Sequence, residues 1–238
     1  MKSKLVYVVA ALSLFAFGAT VHAAPKVSAC GISFNKPSFA KIEVQNTADS
    51  IVGECMVALS KNWSMKVFKK QAIATAKLDE KAAEEVPGYE DTFQKNKSLF
   101  DNYKKYLKTK KLKDLPDFFG GLGGPDKTIK TLKKGGAITG VVYTTHHAFD
   151  FPDFSGFDLN VIAQKGDSFV LITRDLDLSN DTAILKEAKK YETSEGLTLW
   201  DLTEKRYDTL VDAAINRILN GKKFKRELKE IEVLIQSF

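Results

Sequence analysis

The stretch AITGVVYTTHHAFDFPDFSGFDLNVIAQKGDSFVLITR, residues 137–174, decides the fold class. Residues 138–145 are rich in β-branched side chains, which pack well on a pleated surface. Phe157, Leu159, Val161 and Ala163 alternate with polar neighbours, apart from Ile162, and a period of two is the pattern of a strand. Lys165, Gly166 and Asp167 supply a turn, after which 169–173 returns with further strand-forming residues. The stretch therefore reads as an antiparallel hairpin plus one more strand.

Outward from this meander the period changes. Toward the C-terminus, Ser179, Asn180 and Asp181 can cap a helix running through Lys190. Tyr207, Leu210, Val211, Ala214, Ile215, Ile218 and Leu219 follow the 3.6-residue helical period, and Asn220 with Gly221 stops it. Phe224, Leu228, Ile231, Leu234 and Ile235 continue helically to the end. Toward the N-terminus, Phe93, Leu99, Phe100, Tyr103, Tyr106 and Leu107 form an apolar stripe that predicts a helix over 90–112. The glycines of 120–124, between Pro116 and Pro125, read as a connector. Residues 64–76 fit a strand or a helix equally well. Ile51, Val52, Cys55, Met56 and Leu59 fall at helical spacing after Asn46 and Asp49, so a helix carrying Cys55 is expected there. Residues 31–44 carry period-two pairs that read as short strands. Helices, a meander and helices again make an α+β protein: an antiparallel sheet packed by helices, with a helical C-terminal third.

Composition agrees. The chain has 238 residues, 44% hydrophobic and 28% charged, enough apolar content and length for a real core. Two cysteines exclude a disulfide-dense scaffold and a four-cysteine zinc site. Lys2 and Lys4, then the apolar run 5–17, then Val21 and Ala23 at small-residue positions, have the form of an export signal. That run is shorter than the ~20 apolar residues a spanning helix needs. Residues 1–23 are thus expected to be cleaved, leaving 24–238 as a single α+β domain with no transmembrane span. If the chain divides internally, the boundary falls at the Gly-rich loop 116–126. Without the leader's two lysines, 34 basic residues face 30 acidic ones, a net +4.

Export gives the cysteines a role. An oxidising compartment, the periplasm or the exterior, favours a disulfide between Cys30 and Cys55. The competing reading is a lipid-anchored envelope protein, since Val27, Ser28, Ala29 and Cys30 resemble a lipidation motif.

Residues with catalytic chemistry are sparse. His146 and His147, followed by Asp150 and Asp153, form a cluster that could relay a proton in a small exported hydrolase. Adjacent strand residues point to opposite faces, so the two histidines cannot share one ion without a bend. Gly124-Pro125-Asp126-Lys127-Thr128 brushes against a phosphate loop, but Asp126 puts a carboxylate where phosphate would sit. No nucleophile motif, metal set or cofactor fingerprint is present, so neither a metal nor a cofactor is expected. Glu84 with Glu85, Asp175 with Asp177, and Glu227 with Glu230 read as solvated surface.

Charge distribution says more. Residues 95–134 hold twelve lysines against four aspartates, net +8, whereas 141–181 holds seven aspartates against Lys165 and Arg174, net −5. Lysine without arginine argues against base-specific nucleic-acid recognition. The expectation is an exported, non-catalytic protein that binds a protein partner or an anionic envelope component. Lys104, Lys105, Lys110 and Lys111 are the candidate contacts.

Overall fold

Side-chain alternation builds two hydrophobic layers on opposite faces of one sheet. The computed structural model describes residues 25–45, 54–85, 87, 89–115, 124–146, 157–178, 181–188, 192–193, 196–197 and 204–238. In chain order the strands are β1 (Lys26–Ala29), β2 (Ile32–Asn35), β3 (Glu43–Gln45), β4 (Cys55–Ala58), β5 (Trp63–Lys69), β6 (Gly124–Lys134), β7 (Ala137–His146), β8 (Phe157–Lys165), β9 (Ser168–Asp175), β10 (Glu192–Thr193) and β11 (Gly196–Leu197). The helices are α1 (Lys70–Thr75), α2 (Glu80–Glu85), α3 (Tyr89–Lys97), α4 (Leu99–Thr109), α5 (Thr182–Ala188), α6 (Glu204–Asn220) and α7 (Lys222–Gln236), with a 3-10 turn at Leu112–Asp114. Seven strands form an antiparallel sheet in the order β3-β4-β5-β9-β8-β7-β6. β1 pairs with β2, and β10 with β11, in separate two-stranded ribbons. The fold is α+β, and the meander at 137–174 is β7, β8 and β9. None of the described helices is long and apolar enough to cross a membrane.

The chain reaches β6 by crossing the sheet. It leaves β5 in the middle, passes through α1–α4, and re-enters at the far edge. That crossover covers one face. Phe68, Val141, Tyr143, Ile162, Phe169 and Leu171 of the sheet meet Ile73, Phe93, Leu99, Phe100, Tyr103 and Tyr106 of the helices. Phe100 and Tyr103 stand edge-on to Phe169 at 5.8 and 5.5 Å, each pair adding about 0.5–1.5 kcal/mol beyond burial. On the opposite face, Met65, Val67, Val161, Val170 and Ile172 meet Ala214, Ile215, Ile231, Leu234 and Ile235, and the β1–β2 hairpin adds Ile32 and Phe34. Strands buried on both faces lose strict alternation, which is why Ile162 sits beside Val161.

Three expectations change. Residues 55–58 form a strand, not a helix, because Val57 turns into the core while β3 and β5 take both sides of β4. Ile51 and Val52, the start of that expected helix, lie outside the described residues. Gly124, Pro125 and Asp126, read as the end of the Gly-rich loop, open β6, which runs on to Lys134. Three register shifts and repeated lysines mask it as a strand, and both devices protect an exposed sheet edge from pairing. Residues 64–76 are strand and helix in succession. Elsewhere the expected helix at 90–112 divides at Ser98 into α3 and α4, and most of the Gly-rich connector lies outside the described residues.

Candidate functional site

The lysines of α4 project outward because its other face is committed to the core. Leu99, Phe100, Tyr103 and Tyr106 are buried, so Lys104, Lys105 and Lys108 face solvent. Burial, with Tyr106 beside it, holds the Tyr103 phenol above its ordinary range. Three of the four expected contact lysines have internal work. Lys104 lies 3.9 Å from Asp101. Lys105 is 2.7 Å from Asp114, a buried carboxylate that also accepts the Thr109 hydroxyl at 2.6 Å. The Lys105 hydrogen bond, then that of Thr109, holds the Asp114 carboxyl below its ordinary value. Lys110 takes a left-handed conformation (φ 56°) at the end of α4. Its Nζ donates to the Leu107 carbonyl and stands 5.7 Å from the centre of the Tyr106 ring. Lys111 alone is exposed with no acidic partner among the described residues.

Four positions the sequence did not single out are exposed as well: Lys108, Lys127 and Lys133, with no ion pair among the described residues, and Lys113, whose charge acts on the neighbouring Asp114. Sequence reveals charge density but not which lysines are already paired. The 3-10 turn that carries Lys113 packs against β6, which carries Lys127 and Lys133. Lys130 and Lys134 instead reach α7, through Glu232 at 2.7 Å and the Gln236 carbonyl at 3.1 Å. Lys108, Lys111, Lys113 and Lys133, with Lys127 on the α7 side of the sheet opposite Thr144 in the register, thus make a basic flank that wraps the β6 edge.

The acidic block is elsewhere. A cleft of about 620 Å³ opens over the ends of β4, β5, β8 and β9, lined by Ser60, Ser64, Thr173, Asp158, Asp175 and Asp177. Asp158 and Asp175 are directly opposite each other in the β8–β9 register. Beneath the rim, Thr173 donates to Asn160 Oδ1 at 3.1 Å, and Asn160 Nδ2 donates to Thr145 at 2.9 Å. Among the described residues, no three His, Cys, Asp or Glu side chains converge to hold a metal ion. His146 ends β7, its backbone opposite Phe157. Its side chain, and all of His147, Asp150 and Asp153, lie outside the described residues.

Cys30 and Cys55 form a disulfide, Cα atoms 5.6 Å apart, that ties the β1–β2 turn to β4. A sulfur in that bond is not available to a thioether lipid. Lys69 reinforces the tie, its Nζ donating to the Gly31 carbonyl at 3.2 Å and Ser168 Oγ at 2.7 Å. Glu227, expected on the surface, is buried, and accepts Trp63 Nε1 at 3.0 Å and Arg174 Nη1 at 2.8 Å. The Arg174 guanidinium sits 4.8 Å from the Phe224 ring centre and 5.5 Å from that of Trp63. Burial presses that guanidinium below its ordinary value, opposed by Glu227 and Asp175. This cluster fastens α7 to the sheet. Compared with known proteins, the chain matches no family model and no curated protein.

Proposed function

We propose that this is an exported, non-catalytic protein that binds an anionic partner through the basic flank. One observation carries the reading: five exposed lysines on adjoining elements form no ion pair among the described residues, while lysines beside them are paired internally. Like charge gathered around one sheet edge raises the folding free energy slightly, and an anionic partner relieves it. The disulfide accords with an oxidising compartment, and the leader-like residues 1–23 supply the route.

The test is retention of the mature protein on an immobilised polyanion at low salt. The variant K108Q/K111Q/K113Q/K127Q/K133Q is expected to elute far earlier than wild type. A control, K26Q/K70Q/K77Q/K225Q/K229Q, removes as much charge from exposed positions elsewhere and is expected to stay close to wild type. Equal early elution of both variants contradicts the reading, because net charge alone then explains retention. Replacing His146 and His147 by Ala is expected to leave retention unchanged.

A further inference from the structure

We infer that the Cys30–Cys55 disulfide is an exchange site for thiols, with Cys55 the sulfur attacked and Cys30 the thiolate released. The inference is independent of the basic flank and goes beyond a structural tie.

The bond sits at a turn that faces solvent. Cys30 and Gly31 are the central residues of the two-residue connection between the paired Ala29 and Ile32. Gly31 is exposed, and Cys30 and Cys55 are both half-buried. Cys30 is held at φ 54° and Gly31 at φ 68°, the left-handed pair of a type I′ turn. Such a turn usually gives its first central position to Asn, Asp or Gly. Side chains kept in sparsely populated conformations cluster at active and switch sites.

A cation stands at the same turn. Lys69 Nζ donates to the Gly31 carbonyl at 3.2 Å and to Ser168 Oγ at 2.7 Å. It lies 3.5 Å from the point that a Cβ on Gly31 would occupy. An ammonium has three N–H donors, and these bonds use two of them. Lys69 also follows Val67, the β5 partner of Cys55, by two residues, so it shares the face of that pair. Its hydrogen bond goes to the chain neighbour of Cys30, whereas Cys55 is only a diagonal neighbour across β4 and β5. A nearby cation favours the thiolate, and a stabilised thiolate leaves faster. Cys30 is therefore the leaving sulfur.

The co-reactant is a small or protein-borne thiol. Its thiolate attacks Cys55 Sγ, a new S–S bond forms there, and the electron pair of the old bond departs on Cys30. A second thiol resolves the mixed disulfide, giving two cysteine thiols and one external disulfide. Protons lost by the attacking thiols pass through water to the two departing thiolates. The opening is local, because the far end of the hairpin stays clamped to α7. There the Asn35 N–H donates to Ser237 Oγ and the Ser38 hydroxyl to Glu230, both at 2.8 Å.

The experiment treats the native mature protein with reduced glutathione at pH 7, quenches with N-ethylmaleimide and maps the peptides by mass. Glutathione is expected on Cys55 and maleimide on Cys30. The reverse map overturns the direction of attack, and a bond that exchanges only in urea overturns the site. K69Q is expected to slow exchange several-fold, K69R to restore most of the rate, and S168A, which removes a hydrogen bond but no charge, to stay near wild type. Faster exchange in K69Q overturns the role of Lys69, because the lysine then acts only by holding the turn shut.

Discussion

Asp114 illustrates how single residues divide the lysines into structural and free ones. Its carboxylate is shielded between α4 and the 3-10 turn and takes hydrogen bonds from Lys105 and Thr109. Because these partners hold its pKa below 3.8, the ionised form stabilises the folded state above that value. The contribution is constant from pH 7 to about pH 5. It disappears as the pH falls below 3.8 through the lowered folded-state value. The urea midpoint of Asp114→Asn is therefore expected below that of wild type at pH 7, with the gap closing in strong acid. A gap that persists unchanged to pH 2, or none at pH 7, contradicts the assignment. Lys105 thus belongs to the fold, and a lysine count alone had placed it at the binding surface.

At the scale of elements, the β1–β2 hairpin has little of its own to hold it in place. Two four-residue strands are marginal alone. The hairpin gains stability by burying Ile32 and Phe34 and by the bond from Cys30 to Cys55 across 25 residues. Replacing both cysteines by Ser is expected to lower unfolding free energy by about 3 kcal/mol in the chain-entropy account, read from urea titration. A loss below about 0.5 kcal/mol would show that packing alone secures the hairpin. The same elements show what sequence makes legible. β7, β8, β9, α4, α6 and α7 are rich in apolar residues along their length, because each buries at least one face. The strand at 55–58 misled because its four residues are too few to separate a period of two from one of 3.6, and Cys55 and Leu59 fit both. β6 misled because an edge strand is half solvated and bulged, so lysines replace the alternation that marks a central strand. Glu227 misled for another reason: its partners, Trp63 and Arg174, are 164 and 53 residues away. Pairing across such distances leaves no local pattern.

Over the whole molecule, described parts of the +8 and −5 blocks of the sequence lie on different strands of the sheet. The basic flank follows β6 at one edge, and the acidic cleft lies over β4, β5, β9 and β8. Charge separation of this kind acts on encounter rate, an effect that fades with salt. Charge blocks were legible in the sequence. Their placement was not, because it depends on the crossover that carries the chain from β5 to the far edge. The most direct test of the flank as the binding surface is an amide-resolved NMR titration of the mature protein with a soluble polyanion at low salt. The account predicts shifts concentrated at 108–113 and 124–134, reversed by added salt. Shifts centred on Asp158, Asp175 and Asp177, or spread evenly over the surface, would contradict it.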